Sequence, residues 1–291
     1  MITLRRFSFI ILVLAALGNA RAQLVTNLQL SKTQYLSGEP IIAQITVTNH
    51  AGTELTFQDT RALPWLDFVT RNANGTPVNN RLRAAFKPLK IAPGQTRGTN
   101  IDLSQLFLLT ETGNYSVNAM VRNSSAGIEG VSTNRVFFSV SPGRAYWTQK
   151  VGVLGKPGNF REYRLLNFNA GEKSELFAQI TDDRTGKILR TFSLGEALLI
   201  RKPMTTVDNK QHMHVLYLGT PTMWVHYQID IDGKVLTRQI HQRGAQGDPQ
   251  LLTMPDGTVR VGNGILYDPK AADAAKAKNR KASQRPAISY E

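Results

Sequence analysis

Four of the chain's five histidines, His212, His214, His226 and His241, fall in one stretch that also carries Trp224, Gln228 and Gln239. Imidazole is the side chain best suited to hold Zn, Cu or Ni and to exchange protons near neutral pH. A tryptophan beside glutamines can instead stack on and hydrogen-bond a sugar or a similar planar ligand. Either chemistry requires the backbone to bring these residues onto one surface. In a strand, side chains alternate between faces, so Trp224, His226 and Gln228 point the same way. A two-residue Asp232-Gly233 turn of type I′ would pair Ile231 with Lys234, Tyr227 with Arg238 and Val225 with Ile240, adding Thr237, Gln239 and His241 to the same face.

The preceding strand, QHMHVLYL, is joined to this hairpin around Gly219-Thr220-Pro221. An odd-length loop sets His214 opposite His226 and places four histidines beside Trp224, whereas an even one separates them. The stretch therefore supports two site readings: an organic-ligand surface of Trp224, His226, Gln228, Gln239 and His241, or a metal site of His212, His214, His226 and His241. The plain alternative is a solvent-facing side of a sheet. No carboxylate or cysteine in the pattern completes a familiar ligand set, so no cofactor is expected beyond that metal.

Elsewhere the chemistry-bearing residues read as turns. Asp230-Ile231-Asp232-Gly233 begins like a calcium loop but lacks the further oxygen ligands and the closing Glu. Asp182-Asp183-Arg184-Thr185-Gly186 is a turn of the same kind. No G-x-S-x-G, H-E-x-x-H or S-x-x-K motif occurs, and Glu162, Glu172 and Glu175 are isolated carboxylates. No catalytic set is named, and a non-catalytic protein is the preferred class.

The elements that must position these residues are strands. From Ile41, the sequence IIAQITVTN alternates Ile41, Ala43, Ile45 and Val47 against Ile42, Gln44, Thr46 and Thr48. Tyr115, Val117, Ala119 and Val121 repeat the period of two, as do Val136, Phe138 and Val140. Between such runs lie Ser37-Gly38-Glu39-Pro40, Asn74-Gly75, Pro93-Gly94 and Thr112-Gly113-Asn114, which turn the chain. Roughly seven strands over residues 23–141 predict a two-sheet antiparallel sandwich. After the Ser141-Pro142-Gly143 linker, residues 146–268 hold two segments that echo each other. Gln179-Ile180 matches Gln228-Ile229, Gly186-Lys187 matches Gly233-Lys234, and LLTMPDGTVRVGNGILYDP from Leu251 is a truncated third copy.

The run LQLSKTQYLSGEPIIAQITVTN, then IAPGQT and IDLSQLFLLTETGNYSVNAMV, resembles the immunoglobulin-like domains of exported bacterial proteins. That resemblance implies a corner tyrosine at Tyr115 and a core tryptophan at Trp65. The repeat of about 48 residues is similar to the four-stranded blades of β-propellers, with too few copies to close the smallest ring. The expected fold is thus all-β, an immunoglobulin-like antiparallel sandwich followed by a repeated, propeller-like antiparallel sheet domain.

The ends bound compartment and partners. Arg5 and Arg6, the apolar run Phe7 to Gly18, and Ala20-Arg21-Ala22 form a secretory signal peptide over residues 1–22. Export to the periplasm or beyond follows, and the absence of cysteine leaves the fold to be held by its core. Of the net charge of +14, three lie in the leader and four in residues 270–291, so the folded part is mildly basic. An exported protein of this charge points away from nucleic acid and towards an envelope polymer, another envelope protein or a second copy of itself. Residues 269–291, rich in Ala and Lys after Asp268 and Pro269, read as a basic, partly helical or disordered tail able to touch an anionic membrane or cell wall.

Overall fold

The computed structural model describes residues 24–270, apart from 62, 82–84, 110, 124–127 and 171–172; the expected signal peptide over residues 1–22 and most of the expected basic tail lie outside the described residues. The protein is all-β, built mainly from antiparallel sheets, and among the described residues none of these closes into a barrel. It divides into two compact units between Pro142 and Gly143. No described helix is long and apolar enough to cross a membrane.

The first unit runs β1 (Leu24–Leu30), β2 (Gln34–Leu36), β3 (Ile42–Asn49), β4 (Leu55–Phe57), β5 (Leu66–Asn72), β6 (Leu89–Ile91), β7 (Thr96–Asp102), the one-turn helix α1 (Leu103–Leu106), β8 (Gly113–Asn123), β9 (Ile128–Ser132) and β10 (Val136–Ser141). One sheet has the order β1-β3-β7 and another β2-β10-β8-β5, with β9 on β8, while β4 and β6 form a third, two-stranded sheet. The expected alternation holds: Ile41, Ala43, Ile45 and Val47 are buried, as are Tyr115, Val117, Ala119, Val121, Phe138 and Val140, while Phe137 between them is exposed. These residues form one core with Trp65 and Phe57. The Tyr115 hydroxyl donates to the Glu111 carbonyl at 2.8 Å, tying the start of β8 to the chain before it.

The strands outnumber the seven expected, because short edge segments such as β2 and β4 are too brief to show a period. Nor is pairing wholly antiparallel, since β2 lies parallel to β10. A polar residue pins the small third sheet: buried Asn49 donates to the carbonyls of Thr53 and Ile91 and accepts from the Ala51 N–H, satisfying backbone groups that the sheets leave open.

The second unit runs β11 (Arg144–Gly152), β12 (Phe160–Ala170), β13 (Lys173–Asp182), β14 (Ile188–Glu196), β15 (Met204–Val207), β16 (Met213–Thr220), β17 (Met223–Ile229), β18 (Val235–Arg243), β19 (Gln250–Thr253), β20 (Val259–Gly262) and β21 (Gly264–Leu266). A four-stranded meander, β11-β12-β13-β14, is followed by β15-β16-β17-β18-β21, and β19 pairs only with β20. The two larger sheets pack apolar face to apolar face: Tyr163, Leu165, Leu176 and Ile180 meet Met213, Val215, Tyr217 and Ile229. Gln179-Ile180 and Gln228-Ile229 therefore occupy matching places on β13 and β17, and both isoleucines are fully buried.

The repeat is carried by its turns. Each hairpin closes through a left-handed glycine, with φ of 66° at Gly186, 82° at Gly233 and 78° at Gly257. In each, the glycine N–H donates back to the carbonyl that opens the turn, from Gly186 to Asp182, Gly233 to Asp230 and Gly257 to Met254. Only glycine adopts this φ without steric cost, which is why these positions recur in the sequence. The expected type I′ turn at Asp232-Gly233 is corrected: Gly233 alone has positive φ there, and a bulge after Gln228 pairs Ile229 with Val235. That is a type I turn followed by a glycine bulge. Beyond the bulge the expected register stands, Tyr227 facing Arg238 and Val225 facing Ile240.

Candidate functional site

Sheet pairing decides which polar side chains meet. Across β16 and β17, His214 faces Gln228, Leu216 faces His226 and Leu218 faces Trp224; across β17 and β18, Trp224 faces His241 and His226 faces Gln239. The odd register sets His214 opposite His226; the observed pairing, His214 opposite Gln228, lies two residues from it, so the two rings meet diagonally but on the same face. A displacement even in residues keeps the shared face.

Where His214, His226 and His241 lie, that face is covered. His214, His226 and His241 are buried, and Trp224 is buried with Leu216 and Leu218 against Leu251 of β19 and Val261 of β20. The third, truncated repeat is therefore a hairpin that lies over the histidine side of the sheet, forming a second core layer. Asn209 ties the tip of that hairpin down, its backbone N–H donating to the Gly257 carbonyl and its side-chain amide to that of Asp256.

A carboxylate missed in the sequence organises the cluster. Asp208, in the turn between β15 and β16, accepts the backbone N–H groups of Lys210 and His212 on one oxygen. Its other oxygen lies 3.1 Å from His212 Nδ1 and 3.2 Å from His214 Nε2. His214 Nδ1 lies in turn 3.1 Å from His226 Nε2, with the two rings nearly parallel. An ionised carboxylate can only accept, so a neutral His214 donates from Nε2 and accepts at Nδ1. His226 must then donate from Nε2, leaving a bare lone pair at Nδ1. That atom is buried without a hydrogen-bond partner, and so are both ring nitrogens of His241. Gln228 Nε2 approaches His212 Nδ1 at 3.0 Å, while Gln239 is exposed. The Asp-Asn pair at 208–209 was the available signal for Asp208, as a turn former immediately before a strand.

Burial sets the protonation of this chain. It pushes His226 down to about 4, helped by the neighbouring His214 and His241 rings and opposed by Gln239. Burial likewise lowers His214 against the pull of Asp208, and lowers His241. Burial works to raise the Asp208 carboxyl, but the His212 N–H and the His214 side chain together hold it below its ordinary value. At neutral pH Asp208 is a carboxylate, and His214, His226 and His241 are neutral imidazoles. Among the described residues, no group of three or more His, Asp or Glu side chains has the placement of a metal site. The carboxylates of the sequence survey stay dispersed: Glu162 is on β12, Glu175 on β13 accepts from Ser193, and Glu172 lies outside the described residues. Asp230 uses one oxygen to accept the N–H groups of Asp232 and Lys234, as a hairpin turn does.

Beside the closed layer lies an open concavity of about 500 Å³ with Trp224 and Leu218 in its lining. Arg201 and Arg243 flank it, each bound to Asp248, at 3.2 Å to one oxygen and 3.4 Å to the other. Both arginine side chains remain largely exposed.

No family model matches the sequence. No curated protein matches it either. Among solved structures, the sporulation control protein Spo0M from Bacillus subtilis shares 13% identity over 60% of this chain and 91% of its own, with a TM-score of 0.28. A beta-glucosidase from Listeria innocua in complex with laminaribiose shares 13% identity over 43% of this chain, with a TM-score of 0.27. This chain spans 17% of that enzyme's length.

Proposed function

We propose that this chain is a non-catalytic exported binding protein of the cell envelope, an immunoglobulin-like sandwich joined to a propeller-like repeat domain that carries the ligand surface. One observation carries the reading. His214 and His226 are enclosed and bonded to each other, with His241 enclosed beside them, while the open concavity next to them carries two exposed arginines and no paired acid and base. Such a surface suits recognition rather than turnover. The mildly basic body and the basic tail favour an anionic envelope polymer as partner.

The test is retention of the purified chain on isolated envelope material as salt is raised. Retention that falls with salt, and that weakens when residues 270–291 are removed, is the expected result. Passage of the full chain without retention at low salt refutes the reading.

A second reading, a metal-binding protein, is favoured by the bare lone pair at His226 Nδ1 beside His241, whose ring nitrogens are also unpartnered. Buried imidazoles held by a carboxylate through hydrogen bonds are the usual supports of such ligands. Stoichiometric Zn or Cu in purified protein, lost in His226→Ala and His241→Ala, would replace the first reading with this one.

A further inference from the structure

The concavity beside Trp224 has a definite chemical character. Its charged groups are Arg201, Arg243 and Asp248, a net single positive charge. Asp248 uses its two oxygens on different arginines, engaging Nη2 of Arg201 and Nε of Arg243. A guanidinium has five N–H donors in a planar fork, so each arginine has donors beyond the one in contact with Asp248. The two forks thus line one space and share one carboxylate. That sharing shows that a planar carboxylate is the anion both can reach.

The rest of the lining is neither an apolar slot nor a purely ionic patch. Ile200, 82% exposed, and Pro221 offer aliphatic surface, while Thr222 and Gln242 offer hydroxyl and amide groups. Trp224 and Leu218 are packed below and have little exposed surface of their own. An inorganic anion would use the arginines and leave the aliphatic and amide groups idle, and an aliphatic ligand would strand the charges. A pyranose ring bearing a carboxylate uses all of them: C–H faces against Ile200 and Pro221, hydroxyls to Thr222 and Gln242, the carboxylate to the two forks. A volume of about 500 Å³ is in the range of small-ligand sites and suits a short saccharide rather than a folded partner.

Resting on the binding function proposed above, we infer that this concavity is a site for a uronic-acid type of oligosaccharide, with Arg201 and Arg243 reading the carboxylate. The polymer that retains the chain then carries carboxylated sugars.

The experiment is calorimetric titration of the full mature chain with trigalacturonate, its fully methyl-esterified form and inorganic phosphate. Saturable binding of trigalacturonate is expected, with the ester at least tenfold weaker because it keeps the sugar and removes the charge. Phosphate is expected to bind more weakly than trigalacturonate. Arg201→Gln and Arg243→Gln should each weaken trigalacturonate about tenfold, the scale of one charge-assisted hydrogen bond. Both side chains are largely exposed, so the fold is retained; Arg71→Gln, on the other unit, should leave binding unchanged. Equal binding of acid and ester, phosphate as tight as trigalacturonate, or binding indifferent to both arginine changes overturns the inference. If the chain is retained on envelope material yet trigalacturonate does not bind, the saccharide assignment fails and the binding function stands. If neither is seen, both fail.

Discussion

Acidification should loosen the second unit through His226, and the size of the effect follows from its burial. The folded chain holds this imidazole at about 4, whereas an unfolded chain titrates it near the ordinary 6.5. Depression of a basic group means the folded state prefers the neutral form. Stability is therefore full above pH 6.5 and falls as pH drops through the window from 6.5 to 4. One unit of difference corresponds to about 1.4 kcal/mol, so the loss approaches about 2 kcal/mol at pH 5 and about 3 kcal/mol below pH 4. His214 and His241, also lowered by burial, act in the same direction.

The two units need not unfold together, so a whole-chain melting curve is a poor assay. Hydrogen exchange in peptides covering residues 213–229, corrected for intrinsic rates and compared at pH 7.5 and 5.0, reads the opening free energy of β16 and β17 directly. His226→Gln removes the titrating group, and whatever its absolute stability, the pH dependence should shrink by about 2 kcal/mol. An opening free energy unchanged between the two pH values, or an undiminished pH dependence in the variant, refutes the account of a neutral, buried His226.

Other perturbations follow from single contacts. Asp208→Asn removes the charge that accepts from two backbone N–H groups and faces two imidazoles, and should cost about 1–3 kcal/mol in the same exchange measurement. Gly244→Ala would place a Cβ 2.4 Å from the backbone oxygen of Asn263, so the β18 to β21 closure should lose about 1–3 kcal/mol, seen as faster exchange at residues 240–244. Leu216→Ala should cost about 2–5 kcal/mol by opening a cavity under the β19 to β20 hairpin, with greater proteolysis at that hairpin as the readout. Tyr115→Phe removes one hydrogen bond to the Glu111 carbonyl and should lower the stability of the first unit alone by about 1 kcal/mol in urea.

What could be read from sequence followed the range of the interaction responsible. Alternation is a property of single strands, and it assigned Ile41, Ala43, Ile45 and Val47, and Tyr115 through Val121, to the core that holds them. Pairing of β17 with β18 depends on one turn, and there the register was legible over most of its length while the turn type was not. Types I′ and I with a glycine bulge differ in the φ of Asp232, which the letters Asp-Gly do not fix. Pairing of β16 with β17 depends on a loop with its own register shift, so the sequence leaves the odd and even registers both open, and the observed partner of His214 lies two residues from the one the odd register gives.

Burial of the histidine face was the least legible feature, because it depends on the later β19 to β20 hairpin folding back over β16 and β17. In β16, residues 213 to 218 are buried on both faces, so the strand shows no contrast between an apolar and a polar side. On the covered face Asp208 pairs His214, and through it His226, from a turn whose own backbone it also closes, while His241 has no hydrogen-bond partner on either ring nitrogen. This explains why histidines stand where a repeat of this kind would otherwise need apolar residues. A buried imidazole chain fixed at one end by a carboxylate has one favourable order of donors and acceptors, and each member is held by the next. Trp224 and Leu218 belong both to the layer closed by the β19 to β20 hairpin and to the lining of the open concavity, so the enclosed layer and the concavity share two side chains.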